Sequence, residues 1–283
     1  MESFLLITNN QKDKDLSVTN SVQEYLTVKK HKKVKTFVPE SRDYDISEEH
    51  MEGVDCIIVL GGDGTILRVA KKNIQNGLPI LGINMGHLGY LADVDKSNVF
   101  SALDALCDGE YTIENRMMLS GKVLRGTEEI CCLDALNDIV ITRGGSMQML
   151  NFEVSVSGKM LKAYRADGLI LATPTGSTAY NLSCGGPIIE PGADMTIITP
   201  IAPHTMLSRS IIFNAEDEIE VEILPPHDLN VEQLIEVYFD GIERIKLEAG
   251  DRVVVNRSEM TTTLIRISSA SFLETLYEKM KEN

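Results

Sequence analysis

The stretch CIIVLGGDGTILRVAKKNI, residues 56–74, limits what this chain can fold into more sharply than any other part of it. An apolar run stops at Gly61, Gly62, Asp63, Gly64 and Thr65, after which Ile66, Val69, Ala70 and Ile74 fall at i, i+3, i+4 and i+8. Asp-Gly between apolar runs is a strong signal for a tight β-turn, but a hairpin needs a second strand where helical spacing stands here. The order is therefore buried strand, bare loop, amphipathic helix. Such a unit belongs to a parallel sheet covered by helices, because strands buried on both faces read as unbroken apolar runs.

The rest of the first third keeps this rhythm. SFLLIT, KVKTFV and LPILGIN are strand-like, Leu16, Val22 and Leu26 mark a helix within the polar stretch 11–30, and SNVFSALDALCDGEY holds another. From Tyr111 onward the segments are short, β-branched and separated by Gly, Asn, Asp or Pro, as in NFEVSVSG, GLILATP and RIKLEAGDRVVVNRS. The expected fold is an α/β amino-terminal domain, residues 1–110, followed by a β-rich carboxy-terminal domain, residues 111–269. Ser271 and Glu274 form a capping-box signature and predict a terminal helix within 270–283 that returns to the first domain.

Charge narrows the ligands. A formal net charge of -15 over 283 residues argues against non-specific binding to nucleic acid or to an anionic membrane. No stretch approaches the roughly 18 apolar residues of a spanning helix, and MESFLLITNN fits neither a secretory signal nor an anchor, so a cytoplasmic location is expected. Cys56, Cys107, Cys131, Cys132 and Cys184 form no CxxC pair, and the histidines are scattered, which favours reduced thiols over a disulfide framework or a zinc site. An anionic ligand must then be met by oriented backbone amides, a metal ion or a few basic residues.

The glycine loop offers such amides. Loop N–H groups and the positive end of the following helix dipole form an anion site, and glycine lets a phosphate approach the backbone while tolerating positive φ. This is no Walker A loop, since no Gly-Lys-Ser/Thr follows, and Leu67 spoils a dinucleotide fingerprint. A pure phosphate cradle should avoid a carboxylate at its centre. Asp63 is expected to take a proton from an attacking hydroxyl or to hold magnesium, or else to cap its own turn.

A second constellation spans YRADGLILATPTGSTAYNLSCGGPIIEPG, residues 164–192. Pro174 and Gly176 fix a turn, Thr173, Thr175, Ser177 and Thr178 present hydroxyls, and Tyr180 adds an aromatic face. That surface suits a ribose and a base, although a Ser/Thr-rich loop also caps itself. Arg165 and Asp167 flank Ala166 and are expected on one side of an extended strand, as ligand contacts or as a surface ion pair. Asn137 and Asp138 are placed either to start a strand or to bind vicinal hydroxyls.

With IIVLGGDGTILR, GINMGHLGYL, the Asn137-Asp138 pair, DGLILATPTGSTAYNLSCGGPI and PIAPHTMLSRSIIF in this order, the chain resembles the NAD kinase family over nearly its whole length. GGDGT alone is shared with lipid kinases of the diacylglycerol and sphingosine type; the DGLILATPTGSTAY stretch separates the two. The resemblance implies that ATP with magnesium donates its γ-phosphoryl group to the 2'-hydroxyl of the adenosine ribose of NAD. It implies Asp63 as the general base and Gly61, Gly62, Gly64 and Thr65, with Arg68, as the phosphate loop. NAD would be contacted by Asp63, Gly64, Asn137, Asp138, Arg165, Asp167, Thr175, Thr178, Ala179, Tyr180, Asn181, Leu182 and Ser183, and by Ala202 through its backbone. Many members carry Glu where this chain has Asp138. The resemblance also implies a homodimer or homotetramer, and it identifies no metal ligands. A lipid kinase sharing the GGDGT loop and a non-catalytic NAD-binding sensor are the alternative readings.

Overall fold

The computed structural model describes residues 1–283 apart from 42–43, 87–88, 146–147, 206–208, 227–232, 269 and 282–283. The chain divides into a first unit, Met1–Arg116 with Thr262–Asn283, and a second unit, Met117–Thr261. Two of the stretches that carry the family resemblance are described in part, because His87, Leu88, Met206, Leu207 and Ser208 lie outside the described residues.

The first unit is built on parallel strands: β1 (Ser3–Thr8), β2 (Lys33–Phe37), β3 (Cys56–Gly61) and β4 (Ile80–Asn84), in the spatial order β4-β3-β1-β2. A two-residue strand, β5 (Val94–Asp95), extends β4. β1 and β3 are buried at every position, as apolar runs in a covered parallel sheet must be. Between them stand α1 (Ser17–Glu24), a short α2 (Glu48–Met51) and α3 (Asp63–Asn73), and α4 (Val99–Asp108) follows β5. α4 buries Val99, Ala102, Leu103 and Leu106, a stripe at i, i+3, i+4 and i+7, against Phe4, Leu6, Ile58 and Leu81 of the sheet.

The second unit is antiparallel. Its strands are β6 (Thr112–Arg125), β7 (Glu128–Ala135), β8 (Asp138–Gly144), β9 (Leu150–Val156), β10 (Lys159–Ala166), β11 (Gly168–Ala172), β12 (Met195–Ile201), β13 (Ile211–Asn214), β14 (Ile219–Ile223), β15 (Leu234–Phe239), β16 (Glu243–Leu247) and β17 (Asp251–Arg266). The boundary between units falls inside β6 and again inside β17. One layer runs β10-β9-β14-β17 and carries β6 and β7; the other runs β13-β12-β11-β8-β15-β16. Alternate residues of both layers meet in one core, Phe152, Val154, Val221 and Val255 from the first with Ile139, Ile141, Leu171 and Phe239 from the second.

β11 explains why GLILA is apolar at every position. Leu169 and Leu171 point into the core between the layers, whereas Ile170 and Ala172, with Val140 and Ile197, face the opposite side and are covered by Cys184 and Ile189 of the loop that follows β11. A strand buried on both faces is thus not confined to the parallel sheet, and here it seats the threonine-rich loop. The terminal helix, α5 (Phe272–Lys281), carries the capping box, with Glu274 accepting from Ser271 N–H at 2.7 Å and donating its own N–H to Ser271 Oγ at 3.2 Å. Its Phe272 ring lies 6.3 Å from that of Tyr90 within the first unit.

Candidate active site

In the first unit the parallel strands end on one edge. The chain runs from β1 outward to β2 and then returns to the other side of β1 to form β3, so the winding direction reverses there. Open α/β sheets bind ligands outside the carboxyl ends of strands at such a point. Residues 9–12 after β1, 39–41 and Tyr44 after β2, and 62–65 with Arg68 after β3 line a cavity of about 740 Å3, joined by Gly89 and Lys279.

Asp63 opens α3, with Gly62 as its uncapped N-cap, so the helix takes in the last three residues of the bare loop. Its carboxylate does not cap its own turn. Oδ2 accepts from Tyr90 N–H at 2.7 Å, and Oδ1 accepts from Leu91 and Ala92 N–H at 3.1 and 3.3 Å. A carboxylate offers about four acceptor directions; three are filled, and the one left belongs to Oδ2. Gly89 is required beside it, because a methyl group there would overlap the carboxylate.

The loop glycines serve for space and not for conformation. None of Gly61, Gly62 and Gly64 has a positive φ, so that part of the expectation fails. A Cβ on Gly61 would meet Thr65 Cβ at 2.6 Å, whereas Gly62 faces open space and Gly64 only the tip of Arg68 at 3.9 Å. Their backbone is therefore open to a ligand, as phosphate binding needs. The buried Thr65 hydroxyl accepts from Asn9 Nδ2 at 3.0 Å, tying the ends of β1 and β3, and Arg68 folds back to donate to the Gly64 carbonyl at 2.8 Å.

The second unit gathers residues on the face of β8 and β11 away from its core, where alternation puts Asp138 beside Val140. Thr173 N–H donates to the Asn137 carbonyl at 2.9 Å and its hydroxyl to the Leu136 carbonyl at 2.6 Å. Gly176 packs so closely on the Asn137 carbonyl that a methyl group would overlap it. The Asn137-Asp138 pair and the threonine-rich loop are thus one structure. Asp240 supports it from the β15–β16 turn: its carboxylate accepts from Leu136 N–H at 2.8 Å, Asn137 N–H at 2.7 Å and Asp138 N–H at 3.1 Å.

Burial, and secondarily the Asp240 charge, push the Asp138 carboxyl up to about 7. The folded chain therefore holds a proton there that the unfolded chain has released near pH 4. Stability from this residue is full below about pH 4 and is lost as pH rises to about 7. Asp138→Asn removes that penalty; thermal melts are expected to show the variant stabilised by a few kcal/mol at pH 8 and little at pH 4. Affinity for any ligand that offers two hydroxyls to this carboxyl is expected to rise as pH rises through about 7, because only the ionised form can accept from both.

Tyr180, Leu182 and Ser183 are exposed, Thr178 and Ala179 half-buried, and Thr175 buried. The Tyr180 phenol is pushed upward by desolvation, then by Cys184 and by the charges of Asp138 and Asp167, which puts both acids within electrostatic reach of it. The Asn181 side chain is committed within the fold. It is fully buried, its Nδ2 donates to the Ser177 and Pro187 carbonyls at 3.0 Å each, and its Oδ1 accepts from the Thr199 hydroxyl at 2.6 Å. Its side chain shapes the loop.

Arg165 and Asp167 differ from expectation in their strand placement. β10 ends at Ala166 in one layer and β11 starts at Gly168 in the other, so the chain changes sheets at Asp167 and the two residues share no strand face. The partner of Asp167 is Arg143, whose Nε and Nη2 donate to it at 2.7 and 3.1 Å. Arg165 is exposed and lines a separate hollow of about 530 Å3 with Asn151 and Tyr164. Ala202 is exposed at φ 43°, in the left-handed region that costs a non-glycine residue about 1–3 kcal/mol and clusters at functional sites. Its turn brings His204 N–H to the Arg165 carbonyl at 2.8 Å. Among the described residues no group of three or more His, Cys, Asp or Glu is spaced to hold a metal ion.

Residues 4–111 match the family described as ATP-NAD kinase N-terminal domain, and residues 136–267 match ATP-NAD kinase C-terminal domain. The chain is 41% identical to an NAD kinase of Agathobacter rectalis over 283 residues, covering 99% of each. It is 42% identical to an NAD kinase of Thermoanaerobacter pseudethanolicus over 287 residues, covering 100% of each. Yeast NADH kinase complexed with NADH superposes with a TM-score of 0.86 at 23% identity, over 100% of this chain and 88% of that one. An NAD kinase from Archaeoglobus fulgidus in complex with ATP gives 0.78 at 25% identity over 100% of both.

Proposed function

The chain belongs to the NAD kinase family, and from that premise we propose that it transfers the γ-phosphoryl group of ATP to the 2'-hydroxyl of the adenosine ribose of NAD, giving NADP and ADP. Matches over both units, and not GGDGT alone, set aside the lipid-kinase reading. The observation that carries the chemistry is the Asp63 carboxylate, fixed by three amides with one acceptor direction left on Oδ2. That direction suits the proton of an attacking hydroxyl.

In this reading Asp63 Oδ2 receives the proton as the ribose oxygen attacks the γ-phosphorus and ADP leaves. The open backbone at Gly62 and Gly64 and the head of α3 meet the phosphates, with Lys12 and Arg68 on the cavity wall. Asn137, Asp138 and the loop from Thr175 to Ser183 bind NAD, and Asp167 is presented to it by Arg143. Phosphoryl transfer needs positioning and charge neutralisation more than covalent help; alignment supplies roughly 7–11 kcal/mol and a general base about 100- to 10,000-fold. Magnesium fits as a companion of the triphosphate, screening its charge, since it keeps most of its waters and takes few protein ligands. Asp63 has too few open lone pairs to hold a metal and a proton together. A cytoplasmic location and an assembly of two or four chains are inherited from family membership.

The test is a coupled assay of NADP formation with ATP or inorganic polyphosphate against NAD and NADH, run beside diacylglycerol. NADP formed from ATP and NAD is the expected result. Binding of NAD with no NADP would leave a sensor, and phosphorylated lipid would restore the alternative kinase.

A further inference from the structure

Asp63 is held by backbone amides, and amides are only as fixed as the segment that carries them. Residues 90–93 belong to no helix or strand. Arg266, at the end of β17, reaches this segment with each branch of its guanidinium. Nη1 donates to Asp93 Oδ1 at 3.2 Å, Nη2 to the Tyr90 carbonyl at 3.4 Å and Nε to Glu114 Oε2 at 2.7 Å. The buried Asp93 carboxylate also accepts from Ile267 and Ser268 N–H at 2.7 and 2.9 Å, so the same strand end grips it twice. Behind Glu114 stands Arg116, fully buried, with Nε 3.0 Å from Oε1 and Nη2 3.0 Å from Oε2. A buried arginine at this cost in desolvation is not a surface ornament; it fixes the carboxylate that orients Arg266.

We propose that Arg266 is a positioning residue for phosphoryl transfer: through the Tyr90 carbonyl and Asp93 it sets the three amides that aim Asp63 Oδ2. The inference rests on Asp63 as proton acceptor. Three acceptors in three directions call for a planar fork, which lysine lacks. Arg266→Lys keeps the charge and loses the geometry.

Arg266→Lys, with Arg266→Gln as a second variant should the first fail to fold, is expected to lower kcat by roughly 10- to 100-fold. KM for NAD and ATP should stay within about threefold, because an interaction made only in the transition state leaves ground-state binding alone. In an Asp63→Asn background the same change is expected to cost less than about twofold, since coupled residues are not additive. Hydrogen exchange at residues 90–92 should quicken in Arg266→Lys. Equal losses in both backgrounds, a loss confined to KM, or unchanged exchange at 90–92 would overturn the proposal. Normal turnover in Asp63→Asn alone would instead remove the proton-acceptor reading, with the exchange measurement still deciding whether Arg266 orders the segment.

Discussion

Asp63→Asn is expected to lower kcat for NADP formation by about two to four orders of magnitude, the range a positioned general base supplies, with the affinity for NAD changed only a few-fold. The carboxamide retains one acceptor oxygen but turns an N–H group toward at least one of the three backbone donors that Asp63 now satisfies. A donor facing a donor costs about 1–3 kcal/mol, so segment 90–92 should loosen as well. Initial rates give kcat, and calorimetric titration gives NAD affinity. A variant that turns over near the wild-type rate would show that the acid is only a clamp for the segment after β4.

Asp240→Ala is the second large effect, and it falls on binding and stability together. Three amides at Leu136, Asn137 and Asp138 lose their acceptor at once, each worth about 1–3 kcal/mol when left unsatisfied and buried. A destabilisation of about 3 kcal/mol or more is expected in denaturant unfolding, with KM for NAD raised at least tenfold as the Asn137-Asp138 segment drifts from Gly176 and Thr173. Removing the Asp240 charge also removes one cause of the raised Asp138 carboxyl, so the pH dependence of KM should move to lower pH. Unchanged KM with lost stability would reduce Asp240 to a turn residue.

The site residues legible in the sequence were those whose reason is local. Strand, glycine loop and helix around Asp63 are consecutive, and the buried face of α3, Ile66, Val69 and Ala70, repeats the expected spacing. The supporting partners are not local. Asp63 meets amides from beyond the next strand, Asp240 meets Leu136 from 104 residues away, and Arg143 reaches Asp167 across 24. Asp240-Gly241 reads as an ordinary hairpin turn, and it is one, with φ of 54° and 64° at its two central residues; nothing in the pattern tells that its carboxylate turns inward. The expectation that Arg165 and Asp167 share a strand face failed because strand periodicity assumes one strand, and the sheet change at Asp167 carries no compositional mark beyond Gly168. Gly168 itself is required there, since a Cβ would overlap the Ile141 carbonyl.

The boundary crossings inside β6 and β17 have a consequence for biosynthesis. Asp63 and its parallel strands leave the ribosome early, but Arg266 and the strand end that pairs Leu264 with Ile80 follow only after the entire inserted unit has been translated. A nascent or truncated chain that ends before Arg266 lacks both the brace that steadies the acid and Lys279 of the cavity wall. Such fragments should be poor phosphotransferases, and activity should appear only once the chain is extended through its last strand and helix.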